Sequence, residues 1–205
     1  DAAVRFNQPS SSSSALNRVL GSDASQIAGQ LSANGRVLLI NDSFGALSCA
    51  LASFSPIMQS DSWIATDSAR HNLLANGHAA DAVQFITTLD QHQGQYDLVI
   101  VRVTKTLALL EHELHQLRPH LHQQSRVIGL GMAKQIHKST LQLFEQLIGP
   151  THTSLAQKKA RLIYSQYDPD KLVGPSPYPR RYTLENSELQ LTNHASVFSR
   201  ERLDI

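Results

Sequence analysis

One cysteine in 205 residues leaves no internal disulfide to form. Cys49 sits in a helix-like stretch of small and apolar residues, so it reads as a small buried hydrophobe rather than a catalytic thiol. No apolar run approaches the roughly 20 residues needed to span a bilayer, and no basic-then-apolar signal segment stands at the start. A cytoplasmic protein with no membrane partner is expected. Aromatic residues make up 6% of the chain. Trp63 and the five tyrosines form no cluster like the stacking strands of RNA-recognition modules, so packing in the core or a hairpin is expected for them. His112 and His115 lie at helical spacing, with His120 and His122 just beyond. A metal site of that kind needs further ligands close by, and neither a cysteine nor a carboxylate cluster supplies them, so no metal is expected.

The chain has 41% hydrophobic and 17% charged residues, enough to build one good-sized core. Its net charge of +1 hides an asymmetry. Residues 1–101 hold 4 basic and 8 acidic side chains, residues 102–171 hold 10 basic and 5 acidic, and the remainder balances at zero. A positive face drawn from the middle of the chain would attract phosphate backbones. Scattered solvated cations, or contacts to a sister domain, are the alternative.

Along the chain, residues 1–30 include five consecutive serines at 10–14, which cannot bury apolar surface, so a flexible or irregular segment is expected. The first residue is Asp1 rather than methionine, which suggests a fragment. Strand and helix patterns then alternate: strands over 37–40, 56–58, 82–86, 98–103 and 126–130, and helices over 45–53, 63–76, 106–118 and 134–148. The stretch YDLVIVRV is apolar on both faces, as burial between two helical layers demands. After Pro150 the pattern changes, and 155–164, 182–184 and 189–192 all read as strands. The expected fold is α/β, a mostly parallel doubly wound sheet ending in an antiparallel hairpin. That is the order of the Rossmann-like methyltransferase fold.

The segment VLLINDSFGALSCAL has the outline of a strand followed by a nucleotide-binding turn. Rossmann methyltransferases use an acidic residue and three glycines here, because glycine turns tightly and lets a ligand approach the backbone. In this chain Leu39 takes the acidic position, Asn41 and Ser43 the first two glycine positions, and only Gly45 is kept. Gly45 alone is explained by close packing of the helix on its strand, and Asp42 by capping of that helix. At the end of the second strand, where an acid would hold ribose hydroxyls, Ser60 falls in place and Asp61 comes one residue late. At the end of the fourth strand, enzymes that methylate an exocyclic amine carry Asn-Pro-Pro and an aromatic. Here Arg102, Val103, Thr104 and Lys105 stand instead. The apolar scaffold is intact while the ligand positions are lost, so no cofactor is expected in this domain.

LINDSFGALSCAL, VTKTLALLEHEL, AKQIHKSTLQLFEQLIGPT, LAQKKARLI and NHASVFSRERLDI resemble the N-terminal half of the ribosomal RNA large subunit methyltransferase G family, which is related to the small subunit methyltransferase C family. The resemblance implies a degenerate methyltransferase-like domain over 31–193 and a linker over 194–205, leading toward a C-terminal catalytic domain absent from this chain. It also implies S-adenosylmethionine and methylation of a guanine 2-amino group of 23S rRNA in the full-length enzyme, with no catalytic residue in this fragment. The partners implied are ribosomal RNA and the C-terminal domain. A 16S rRNA enzyme, or a domain that still binds S-adenosylmethionine, are the alternatives.

The basic residues then become the candidate RNA contacts. Arg102 and Lys105 come at the end of the fourth strand. Lys134, His137 and Lys138 are expected on the first turns of one helix, and Lys158, Lys159 and Arg161 on one strand. Such contacts would position RNA through its phosphates without reading sequence.

Overall fold

The structure, a computed structural model, describes residues 31, 34–157, 159–184, 187–195 and 197. The expected irregular segment 1–30, most of the linker 194–205, and Lys158 therefore lie outside the described residues.

Seven strands form one sheet: β1 (Val37–Ile40), β2 (Ile57–Gln59), β3 (Gln84–Ile86), β4 (Leu98–Arg102), β5 (Arg126–Met132), β6 (Thr151–Thr153) and β7 (Ala160–Gln166). Their order is β3-β2-β1-β4-β5-β7-β6. The first five run parallel, and β7 is antiparallel to both β5 and β6. The four residues of β1 are all buried, and so are the first four of β4. Both faces of the central strands are thus covered, which is why VLLI and LVIVR read as unbroken apolar runs.

Four helices cover the faces: α1 (Ala46–Ala50), α2 (Trp63–Ala75), α3 (Leu107–Leu117) and α4 (Lys138–Leu147). On one side Leu38, Ile40, Val99 and Val101 meet Leu110, Leu114 and Leu117 of α3 and Phe144 of α4. On the other, Leu39, Leu98 and Ile100 pack with Leu47 and Leu51 around α1. A smaller cluster joins Met58 of β2 to Ala65, Ala69 and Leu73 of α2.

Helix α2 starts at Ser62, whose hydroxyl accepts the Ala65 N–H at 3.2 Å. It stops at Asn76 before Gly77, which has a φ of 78° that a glycine adopts without strain. Ser62→Ala is expected to lower stability by about 1 kcal/mol, the usual cost of an N-cap, in a denaturant titration.

Several expectations change in detail. The sheet gains β6, and β7 begins at Ala160 rather than at Leu155, which is exposed. The expected strands at 182–184 and 189–192 appear as β8 (Arg180–Thr183) and β9 (Gln190–Asn193), which pair antiparallel in a separate two-stranded sheet. The helix expected over 134–148 starts at Lys138, because β5 extends to Met132 and a 3-10 turn occupies Ala133–Gln135. Lys134 and Lys138 therefore do not share a helix face. Lys159 is not on a strand: it sits in the turn before β7 with a φ of 67°. Trp63, expected in the core or a hairpin, is 75% exposed. Cys49 is only half-buried, beside the Met58 cluster.

Candidate functional site

In a doubly wound sheet, ligands bind outside the carboxyl ends of the strands where the strand order reverses. Here that point lies between β1 and β4, at the turn that follows Ile40.

Asn41 takes the left-handed conformation there, with a φ of 64°. Asparagine tolerates it better than most residues that have a Cβ. Its side-chain amide donates to Oε1 of Glu113 on α3 at 2.8 Å. Glu113 is 1% exposed, and its Oε2 has no hydrogen-bond partner. Burial pushes its carboxyl up to about 8, with the nearby Asp61 charge adding to the rise. Below that value the group is a neutral acid.

The rest of the turn is also committed internally. Asp42 is buried, and its Oδ2 accepts both the backbone N–H and the hydroxyl of Ser48 at 2.9 Å. It thus satisfies an amide near the start of α1, as its expected capping role requires. Burial raises its pKa, opposed by the Ser48 bonds and the positive charge of Arg102. Ser43 is half-buried in the same turn. A Cβ on Gly45 would stand 2.5 Å from Cα of Ala69. The glycine is therefore required by the packing of α1 on α2, not by packing on its own strand.

The ribose position is closed in a similar way. Ser60 is buried, and its backbone N–H donates to the Ile86 carbonyl at 2.9 Å. Both carboxylate oxygens of Asp61 are taken up by Thr88, one accepting its N–H at 2.8 Å and the other its hydroxyl at 2.7 Å. The amide at the first glycine position and both oxygens of the acid nearest the ribose position are thus engaged by other side chains of the domain.

Most of the basic candidates gather at the other half of the same edge. Val103 N–H donates to the Leu130 carbonyl, and Ala133 N–H to the Lys159 carbonyl at 2.7 Å. Met132 pairs with Ala160 and Gly131 with Arg161. The ends of β4 and β5 and the start of β7 are thus side by side, bringing together Arg102, Lys105, Lys134, His137, Lys138, Lys159 and Arg161. Lys105, Lys134, His137, Lys138 and Lys159 are exposed. Arg102 and Arg161 are half-buried, and burial lowers the pKa of Arg102 while the Asp42 charge opposes this. The sequence reading missed Glu113 and Asn41 as a pair, although a glutamate on the Leu110–Leu114–Leu117 side of a helix is itself a signal.

Strand order and edge geometry define a Rossmann-like methyltransferase fold. Solved structures agree on the fold. A T. thermophilus 16S rRNA N2 methyltransferase, in complex with AdoMet and guanosine, aligns with a TM-score of 0.60 at 16% identity, over 86% of this chain and 45% of that one. A ribosomal protein L11 methylase from Lactobacillus delbrueckii aligns at 0.57 and 19% identity, over 74% of this chain and 79% of that one.

Residues 20–169 match the RLMG N-terminal domain, and the chain belongs to that family. A ribosomal RNA large subunit methyltransferase G from Streptomyces avermitilis is 45% identical over 177 residues, 84% of this chain and 47% of the relative. One from Pseudomonas putida is also 45% identical, over 86% of this chain and 47% of its own length. The chain spans about half the length of these curated relatives.

Proposed function

We propose that this domain is the non-catalytic half of an S-adenosylmethionine-dependent rRNA guanine-N2 methyltransferase. It positions 23S rRNA through its basic corner and supports a catalytic half that carries out the methyl transfer. The observation that carries the reading is Asn41 in the first glycine's place, held in the left-handed conformation and tied to the buried acid Glu113. A turn engaged by the neighbouring helix α3 leaves no room for a methyl donor, and the cofactor belongs to the other half. Large-subunit RNA is favoured because the 45% identical relatives are named for it. A role on ribosomal RNA implies the cytoplasm.

Lys105, Lys134, Lys138 and Lys159 are the preferred phosphate contacts, since all four are exposed at one corner. His137 stands between two of them. Lys158 is assigned with them from sequence alone. Arg102, beside buried Asp42, and Arg161, whose Nε is buried without a partner, are the poorer contacts. Phosphate contacts set register on the RNA and leave recognition of the guanine to the catalytic half.

The test is titration of the intact enzyme with rRNA fragments at two salt concentrations. Neutralising each of the four lysines is expected to reduce the salt slope by about 1 and weaken binding to all RNA sequences alike. Unchanged affinity and slope for all four would leave the domain a structural role only. Calorimetry with S-adenosylmethionine should find one site per full-length chain, and a second site would overturn the account of the turn.

A further inference from the structure

We propose that Trp63, Ile64 and Leu89 form a docking surface for the second half of the same polypeptide. This rests on the reading that the domain is one half of a longer enzyme. These side chains are 75%, 68% and 76% exposed. They stand at the carboxyl ends of β2 and β3, across the sheet from the basic corner.

The surface is built rather than frayed. Asp61 holds Thr88 through its N–H and hydroxyl, which fixes the loop before Trp63 to the loop that carries Leu89. Asp90 in turn accepts the N–H and hydroxyl of Thr87, both at 2.7 Å. Ser62 caps α2 directly before Trp63. Three large apolar groups held in place by satisfied polar bonds lose little freedom when covered, which favours binding. An exposed tryptophan is also the residue type most often found at the energetic centre of an interface.

Charge selects the occupant. Asp61, Asp67 and Asp90 lie within four residues of these side chains in sequence, against one arginine on the same helix, Arg70, which is drawn over the Phe85 ring, and residues 1–101 hold twice as many acidic as basic side chains, 8 against 4. A phosphate backbone would be repelled, so a protein surface is expected and RNA is directed to the opposite half of the edge. The course of the chain selects which protein. After β9 the polypeptide returns to this edge: His194 and Asp61 both lie close enough to His112 on α3 to act on its charge, and Ala195 is buried. The relatives are about twice as long as their match to this chain, and a second half that follows in sequence is tethered to the side of the sheet where His194 lies.

The test is hydroxyl-radical footprinting, read by mass spectrometry, on the longer polypeptide. Trp63 and Leu89 are expected to oxidise about fivefold more slowly than freely exposed side chains, as the dry centre of an interface would. The protection should be the same at low and high protein concentration, and with or without rRNA. Oxidation at the free rate would overturn the proposal. So would protection that grows with protein concentration, which means a second copy, or that needs RNA, which means a base stacked on Trp63. In a Trp63→Ser, Leu89→Ser variant, protease cleavage between the halves should speed up about tenfold, with the RNA salt slope unchanged. Unchanged cleavage would also overturn it. Exposed Trp63 together with lysine variants that still weaken RNA binding would remove the docking surface and leave the RNA-positioning role standing.

Discussion

Arg118→Ala is expected to lower stability by about 3 kcal/mol and to free residues 167–178 from the body of the domain. The Arg118 guanidinium donates to four carbonyls: Leu147 at 2.8 Å, Ile148 at 3.3 Å, Asp168 at 2.9 Å and Lys171 at 2.6 Å. The first two are the end of α4, and the others belong to the segment that leaves β7. Arg118 itself follows the last residue of α3 and lies 5.1 Å from the centre of the Tyr167 ring. One planar fork therefore joins the ends of α3 and α4 to the segment that leaves β7. The Asp168 N–H adds one backbone bond, to the Ile148 carbonyl at 3.0 Å, while a cavity of about 650 Å3 opens between α3 and the segment, lined by His115, Val173 and Tyr178 among others. Lysine cannot replace the fork, because its single ammonium reaches fewer carbonyls from one position. Arg118→Lys should therefore recover less than half of the loss. Denaturant titration measures both variants, and a loss under about 1 kcal/mol for the alanine would show that the carbonyls are equally well solvated without it.

Arg118 also shows why composition alone overstated the basic face. It is one of the 10 cations counted in residues 102–171, yet its charge is spent on the fold. The strands β1 and β4 were legible because burial on both sides leaves no polar interruption. The three-residue strand β6 was not, since Thr-His-Thr after Gly149 and Pro150 is too short to show a period and is held by pairing with β7. Trp63 was expected in the core or a hairpin because the aromatics form no stacking cluster, but the buried stripe of α2 is Ala65, Ala69 and Leu73. That stripe begins with small residues because α1 approaches so closely that Gly45 faces Ala69. The largest side chain of the helix was left outside as a result. The missing glycines of the turn after β1 were legible, whereas the pair that engages Asn41 was not. Asn41 and Glu113 are 72 residues apart, and only the packing of α3 on the sheet brings them together.

Glu113→Gln is expected to stabilise the domain at alkaline pH and to flatten its pH dependence. The carboxyl titrates near 8 in the fold, against 4.5 for an ordinary glutamate. Its folded pKa is raised, so the stabilising form is the protonated one. The contribution is complete below about pH 4.5, declines as pH rises because unfolding then releases a proton, and is gone above about pH 8. At about 1.4 kcal/mol per pH unit, the loss across that window is about 5 kcal/mol. Asp42 is raised by burial too and slopes in the same direction, so wild-type stability alone does not isolate Glu113. The difference between wild type and Glu113→Gln does. A glutamine keeps the oxygen that accepts from Asn41 and cannot ionise, so the two proteins should match below about pH 4.5 and diverge steadily toward pH 8. Parallel stability curves across that range would mean that Glu113 is ionised in the fold, and that the turn after β1 carries a charge free to meet a ligand.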